Sequence, residues 1–146
     1  MAETRSRVLA IDYGTKRLGL AISDELQMFA HPRGTIANGP AMMDEILTLI
    51  HRETIRTVVL GIPRTLSNTE SEMTSEVLQF GETLMRALEP LGIKLERRDE
   101  RLTSLIAETN IRARELPKQK REQKYLRDEE AARIVLQEYL DQLKNG

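Results

Sequence analysis

The sequence lacks cysteine and tryptophan, and its aromatic residues are three tyrosines and two phenylalanines. The absence of cysteine excludes a disulfide-stabilised fold, a zinc site with thiolate ligands and a thiol nucleophile. No apolar run approaches the ~18–20 residues that a membrane-spanning helix needs, and the N-terminal residues lack the apolar stretch of a secretory signal. We therefore expect a cytoplasmic protein.

An excess of charge of one sign is also missing. The chain holds 22 Lys and Arg against 23 Asp and Glu, which gives a formal net charge of -1. The total charge therefore does not indicate nucleic-acid binding, and any such prediction must rest on local patches. The length suits one domain, at roughly 100–200 residues per domain. We expect residues 1–146 to form a single domain.

Short apolar runs predict the strands. Residues 8–11 are apolar on both faces, which is typical of a central buried strand, and residues 57–63 predict another buried strand. Residues 18–23 predict a strand that returns beside the first as a hairpin. Residues 93–98 alternate between apolar and polar, which predicts a strand with one polar face. Residues 29–36 predict a further strand, for which Pro32 favours an edge position or an irregular start.

Helical spacing predicts the remaining elements. One helix follows Gly39-Pro40, and a second begins at the capping-box pair Thr69 and Glu72 and stops at Pro90 and Gly92. A short helix from Thr103 or Ser104 to about Arg114, a polar loop over 116–123 and a last helix over about 127–143 complete the chain. The order β-β-β-α-β-α-β-α-α predicts an α/β fold with a mixed sheet and helices on both faces.

Asp12 ends the first apolar run, at the carboxyl end of a predicted central strand. Ligands of open α/β sheets gather at the carboxyl ends of the strands, so Asp12 is a candidate functional residue. The simpler interpretation is an aspartate that caps the turn after the strand.

Asp99 and Glu100 follow each other at the end of the last predicted strand. Because strand residues alternate between the two faces of a sheet, only one of these carboxylates points to the same site as Asp12. The simpler interpretation is a solvated charge cluster, in which ion pairs contribute little.

Asp128 begins the last predicted helix. It lies on the same stripe as Ala132 and Val135, so we expect it to face the core. The simpler interpretation is an acidic residue that is favoured at a helix start by the dipole. Glu129 and Glu130 are predicted to be solvated acids of the first turn.

The three acidic positions, Asp12, Asp99 and Asp128, are predicted to converge in one cleft. Carboxylates that lie close together repel one another unless a cation is present. Oxygen ligands, with no cysteine and with two histidines that are not spaced as ligands, favour Mg²⁺ or Mn²⁺. Such a site suits two-metal phosphodiester hydrolysis, in which one ion activates the attacking water and the other stabilises the leaving oxygen.

A basic segment precedes Asp128. Residues 112–127 hold seven basic and two acidic residues, a local net charge of +5. A basic segment beside an acidic metal site is what binding of a phosphate polymer requires, whereas the simpler interpretation is a solvated loop. Tyr13 and Tyr125 are the candidates for stacking on bases. The candidate nucleic-acid-binding residues are Lys16, Arg17, Arg101, Thr103, Lys118, Lys120, Arg121 and Lys124, and Arg98 is a further candidate for phosphate contact.

Four segments in order carry a family resemblance: residues 11–21 (IDYGTKRLGLA), residues 60–63 with 69–70 (LGIP and TE), residues 99–104 (DERLTS) and residues 128–137. They resemble those of the YqgF/RuvX family, RNase H-like proteins described as Holliday-junction resolvases and as pre-16S ribosomal RNA nucleases. Residues 11–21 resemble the opening motif of the family. Residues 60–63, with 69–70 after them, resemble the loop behind the fourth strand. Residues 99–104 resemble the DERLT motif, and residues 128–137 resemble the motif of the final helix. The resemblance covers nearly the whole chain.

The resemblance implies an RNase H-like fold with a mixed five-stranded sheet in the order 3-2-1-4-5. In that fold the acidic residues lie on the first strand, on a later neighbouring strand and on the last helix. The resemblance therefore implies Asp12, Asp99 and Asp128 as catalytic and metal-binding residues, with Glu100 as the alternative to Asp99. It further implies an endonuclease that uses Mg²⁺ or Mn²⁺ to process the 5′ end of pre-16S rRNA, with pre-rRNA or ribosomal particles as partners.

Three other functions stay open. A resolvase that cuts four-way DNA junctions would use the same site, and symmetrical cleavage of two strands would require a homodimer rather than a monomer. The segment Asp12–Thr15 with Gly19 also resembles the first phosphate loop of the actin and sugar-kinase superfamily, whose members bind a nucleotide between two such domains. A non-catalytic nucleic-acid-binding protein would keep the fold without the chemistry.

Overall fold

The computed structural model describes residues 6–62, 72–99 and 120–145, with the backbone alone for 72–73 and 120–127. Within these residues the strands are β1 (Arg7–Asp12), β2 (Arg17–Ser23), β3 (Ala30–Ala37), β4 (Ile55–Ile62) and β5 (Lys94–Asp99). The helices are α1 (Met42–Arg52), α2 (Glu72–Leu88) and α3 (Lys120–Asn145), and Glu89–Leu91 form a 3₁₀ turn. The predicted short helix from Thr103 or Ser104 to Arg114 and the predicted cap Thr69 lie outside the described residues.

The five strands form one mixed sheet in the order β3-β2-β1-β4-β5. The strands β1, β2 and β3 pair antiparallel through short connections, whereas β4 is parallel to both β1 and β5. Parallel neighbours require a crossover connection, which α2 supplies between β4 and β5, while α1 carries the chain from the edge strand β3 across to β4. The predicted order 3-2-1-4-5 is confirmed.

Helices cover both faces of the sheet, as predicted. On β1, Leu9 and Ile11 pack in the core with α1 and α2. Val8 and Ala10 alternate with them and pack under α3, against residues such as Val135. The central strand is therefore buried on both faces, which explains its continuous apolar run.

Strand β3 lies at one edge of the described sheet, where Pro32 is tolerated because its missing N–H faces no neighbouring strand. The register between β2 and β3 shifts between Gly19 and Ala21. Gly34 lies in the extra loop of backbone that this shift creates, with a φ of 83°. A side chain would be strained at that φ, so glycine suits the position.

Helix α3 begins earlier than the sequence predicts. The predicted loop over 116–123 is wrong for residues 120–123, which are helical, while 116–119 lie outside the described residues. Lys, Arg, Glu and Gln are good helix formers, and no proline or glycine follows Pro117 before the helix ends. The polar composition therefore indicates an exposed helix as well as it indicates a loop.

Among the described residues, no helix combines the length and the apolarity that crossing a membrane requires.

Candidate active site

Asp12 is the last residue of β1, and its neighbours across both adjacent strands are glycines. Gly19 of β2 and Gly61 of β4 are its register partners. Because strand residues alternate, Asp12 shares the α3 face with Val8 and Ala10. Its half-buried carboxylate therefore lies on the α3 face, at the carboxyl end of the central strand, with no side chain beside it on either neighbouring strand.

Gly19 allows α3 to approach the sheet at this point. A Cβ atom at residue 19 would overlap the backbone carbonyl group of Asp128 and would lie 2.9 Å from the amide nitrogen of Glu129. Since Gly19 is the register partner of Asp12, this close approach brings the backbone of Asp128 next to Asp12. The structure thus brings together Asp12 and Asp128, two of the three predicted carboxylates.

Arg17 contacts the carboxylate of Asp128. Its Nη1 donates a hydrogen bond to Oδ2 of Asp128 at 3.3 Å, and the side chains are only 16% and 21% exposed. Arg17 lies two residues before Gly19 on β2, so it is on the same face of the sheet. Arg17, which the sequence suggests for nucleic-acid binding, therefore forms an ion pair with a candidate carboxylate of the site.

The prediction of solvated first-turn acids is wrong for the two glutamates after Asp128, because α3 begins at Lys120 and neither side chain is fully exposed. The Glu129 carboxylate accepts a hydrogen bond of 2.8 Å from the backbone N–H of Gly34, in the irregular part of β3. The Glu130 side chain is 3% exposed, and Arg133 donates to both of its oxygens at 2.8 and 3.0 Å. Glu129 therefore ties α3 to the sheet edge next to Asp128.

Asp99 lies on the other face of the sheet. It is the register partner of Ile62, which packs in the α1/α2 core. Arg97, two residues earlier and on the same face, forms an ion pair of 3.6 Å with Glu82 of α2. Asp99 therefore shares the α2 face, and the structure does not bring it to Asp12.

Arg98 confirms the alternation along β5. Its guanidinium group lies 5.1 Å from the centre of the Tyr139 ring and donates to Gln142, and both residues are on α3. Arg98 is the register partner of Gly61, which is itself the partner of Asp12. The α3 face of β5 at the level of Asp12 is thus occupied by Arg98.

The turn between β1 and β2 holds one exposed cation and one partly buried ring. Lys16 is exposed, and the turn is fixed by Asn38, whose side chain donates to the carbonyl of Gly14 at 2.8 Å. Tyr13 packs on Phe80 of α2 with ring centroids 5.0 Å apart. Lys16 therefore stays a candidate for phosphate contact, whereas Tyr13 packs against the α2 core and does not form an open platform for bases.

The other candidate residues lie either outside the described residues or in the part of α3 whose backbone alone is described. Arg101, Thr103, Lys118 and the alternative carboxylate Glu100 lie outside the described residues. Lys120, Arg121 and Lys124 fall on α3, one to two helical turns before Asp128 along the chain. This places three predicted cations on the element that carries Asp128.

The donor chemistry at Asp12 and Asp128 fits a divalent cation. Both residues supply carboxylate oxygens, the ligands that Mg²⁺ and Mn²⁺ prefer. The guanidinium group of Arg17 already places a positive charge against Asp128. Within the part of the chain that the structure describes, no three His, Asp or Glu side chains form a ligand group, and Asp12 and Asp128 stay candidate ligands.

Comparison with known proteins gives a consistent family assignment. A model of the RuvX family, described as a Holliday junction resolvase, matches residues 6–142. A protein of Phocaeicola vulgatus named "Putative pre-16S rRNA nuclease" is 37% identical over 139 residues, which cover 95% of this chain and 98% of that protein. A protein of the same name from Porphyromonas gingivalis is 38% identical over 135 residues, with coverage of 92% and 96%.

Solved structures show the same fold at low sequence identity. Thermus thermophilus RuvC in complex with a Holliday junction substrate matches with a TM-score of 0.58 and 16% identity, covering 94% of this chain and 96% of that one. The Fowlpox virus resolvase in complex with Holliday junction DNA also matches with a TM-score of 0.58, at 11% identity and with coverage of 94% and 98%. The predicted RNase H-like fold is confirmed.

Proposed function

The chain belongs to the RuvX family of nucleases, and we propose that it is a metal-dependent endonuclease that processes the 5′ end of pre-16S rRNA. The observation that supports the chemistry is the close approach of the Asp128 backbone to Gly19, the register partner of Asp12. The substrate is supported by relatives that are 37% and 38% identical over almost their whole length and carry the pre-16S rRNA nuclease name. Such a substrate places the enzyme in the cytoplasm.

Asp12 and Asp128 would hold the divalent cation. When bound, such ions supply activation of the attacking water and stabilisation of the leaving oxygen. The fold positions both residues. Asp12 ends a central strand, and Asp128 lies on α3, which packs closely against Gly19 and accepts a hydrogen bond from the Gly34 N–H through Glu129.

We further propose Glu100, rather than Asp99, as the third carboxylate of the site. The register places Asp99 on the α2 face and Arg98 on the α3 face, where Asp12 also lies. In the sequence, residue 100 follows Arg98 by two positions, which is the spacing of side chains that share one face of a strand. Of the two neighbouring carboxylates, Glu100 is therefore the one whose position in the sequence matches the face of the site.

Two isosteric variants distinguish these carboxylates. Glu100→Gln should lower the single-turnover rate of RNA cleavage by at least about 100-fold, because even residues one step removed from a metal can cost that much. Asp99→Asn, the matched control, should stay within about twofold of the wild-type rate. The rates are compared at saturating Mg²⁺ and again at saturating Mn²⁺. The reverse pattern would return the assignment to Asp99.

The substrate is tested with two nucleic acids side by side. With Mg²⁺ or Mn²⁺, the wild-type protein should cleave an RNA that carries the 5′ leader of 16S rRNA, offered both naked and within precursor ribosomal particles. An RNA with the mature 5′ end is the matched control and should stay intact. Failure to cut the leader in either form would contradict the proposed substrate.

Cleavage of a four-way DNA junction is the second candidate, because the family model carries the description of a Holliday junction resolvase. A junction and a linear duplex of the same sequences are therefore included. Selective cleavage of the junction without cleavage of the RNA would establish the resolvase function. Symmetrical cuts would then require a homodimer, which sedimentation at the assay concentration would reveal.

A further inference from the structure

The ion pair between Arg17 and Asp128 joins a proposed metal ligand to a cation of the chain itself. The two groups are 3.3 Å apart and lie mostly out of solvent. They come from distant parts of the sequence, the start of β2 and α3. They meet beside Gly19, where the lack of a side chain allows α3 to approach the sheet. Arg17 stays charged at any physiological pH. Asp128 therefore has a permanent positive neighbour in the protein without metal.

We propose that Arg17 is a positioning residue that occupies the Asp128 carboxylate in the metal-free protein and competes with the divalent cation for it. The proposal rests on the proposed function, since it takes Asp128 as a ligand of the catalytic metal. It assigns Arg17 a role at the metal site, in place of the role in nucleic-acid binding that the sequence suggests.

The metal-free site needs such a cation. The backbone of Asp128 lies against Gly19, the register partner of Asp12, and two carboxylates close together repel each other unless a positive charge is present. The guanidinium group of Arg17 offsets this repulsion and holds the Asp128 side chain in one orientation by a charge-assisted hydrogen bond. Arg17 thus keeps the two ligands in place before the metal ion arrives.

The same contact opposes metal binding. An oxygen that accepts a hydrogen bond from Arg17 must be released, wholly or in part, before it coordinates a cation. Because the pair is mostly shielded from water, breaking it costs more than breaking an exposed ion pair. Arg17 therefore raises the concentration of divalent cation at which the site fills.

The test measures metal affinity in the absence of nucleic acid. The full chain is titrated with Mn²⁺, and free Mn²⁺ is counted by electron paramagnetic resonance. Arg17→Met removes the charge but keeps an unbranched side chain, and it should lower the apparent Kd for Mn²⁺ about tenfold, since a charge-assisted hydrogen bond no longer has to be broken. An unchanged or raised Kd would overturn the proposal.

Arg33→Met is the matched control. Arg33 forms an ion pair of 3.6 Å with Glu53, so its replacement removes the same charge together with an ion pair that does not involve Asp128. The apparent Kd of this variant should stay within about twofold of the wild-type value. A tenfold change in both variants would show a general effect of net charge and would overturn the proposal.

A measurement on the wild-type protein covers the case in which Arg17→Met does not fold. The ¹⁵N resonances of the Arg17 guanidinium group should shift as Mg²⁺ is added, because Mg²⁺ displaces the group from Asp128. Resonances that stay unchanged at saturating Mg²⁺ would overturn the proposal. If the wild-type protein binds no metal at all, the proposed metal site is overturned as well. If the wild-type protein binds Mn²⁺ and Arg17→Met binds it with the same Kd, the role of Arg17 alone is refuted.

Discussion

Replacement of Asp12 with asparagine should lower the rate of RNA cleavage by at least about 10³-fold, which corresponds to about 4 kcal/mol of transition-state stabilisation. Asparagine has the same size, but its amide is neutral and is a weaker ligand for Mg²⁺. Asp12 lies at the end of β1 with a half-buried side chain, so the backbone pairing of the strand should persist. The measurement is single-turnover cleavage of the 5′ leader RNA, together with thermal unfolding followed by circular dichroism.

Asp24→Asn provides the matched control for this experiment. Asp24 lies in the turn between β2 and β3, at the end of the sheet opposite Asp12, where its carboxylate accepts hydrogen bonds from the backbone N–H groups of Met28 and Phe29. The same chemical change there should lower the thermal stability slightly and leave the cleavage rate within about twofold. A wild-type rate for Asp12→Asn would remove Asp12 from the active site.

The sequence predicts the strands well because local signals define them. The run at 8–11 is apolar on both faces, and the structure buries it between α3 and the other two helices. Pro32 correctly predicts an edge strand. The stop of α2 at Pro90 and Gly92 is also confirmed, since the helix ends at Leu88 and Gly92 adopts a φ of 71°. The order of the strands, in contrast, came from the family resemblance rather than from periodicity.

The contacts within the site depend on residues that are far apart in the sequence. Arg17 and Asp128 are separated by 111 positions, and Gly34 and Glu129 by 95, so no local pattern indicates either contact. Glu130 looks like a solvated residue of a helix start, but the structure buries it and pairs it with Arg133.

The sequence alone also does not decide between Asp99 and Glu100 as the third carboxylate of the site. Alternation along a strand shows that the two carboxylates point to opposite faces, but it does not show which face carries the site. That choice requires the register of β5 against β4, in which Arg98 is level with Gly61 and hence with Asp12. The register is fixed by packing between distant elements, which a single sequence does not display.

Replacement of Gly19 with alanine should destabilise the fold by about 3 kcal/mol, a large value for the addition of one methyl group. The new Cβ would overlap the carbonyl group of Asp128 and approach the amide nitrogen of Glu129. These are backbone atoms of a helix, which cannot rotate away as a side chain can. Relief therefore requires α3 to move off β2, at the expense of its packing around Val135 and Leu136. Urea unfolding measures the loss.

Gly39→Ala is the matched control, because a Cβ atom at residue 39 meets nothing within 4 Å. Its free energy of unfolding should lie within about 0.5 kcal/mol of the wild-type value. A Gly19→Ala variant as stable as Gly39→Ala would show that α3 does not depend on this close approach, and the adjacency of Asp12 and Asp128 would then lose its structural basis.

The same variant connects stability to catalysis. Because α3 carries Asp128, a helix that moves away from β2 separates Asp128 from Asp12, and a displacement of about 1 Å can cost a factor of about 100 in rate. Cleavage by Gly19→Ala is therefore measured at a low temperature, where the variant is still folded, and is expressed per folded molecule. A rate that falls about 100-fold there, while Gly39→Ala keeps its activity, would mean that catalysis requires a residue without a side chain at position 19. Only then can α3 lie close enough to β2 for Asp128 and Asp12 to act together.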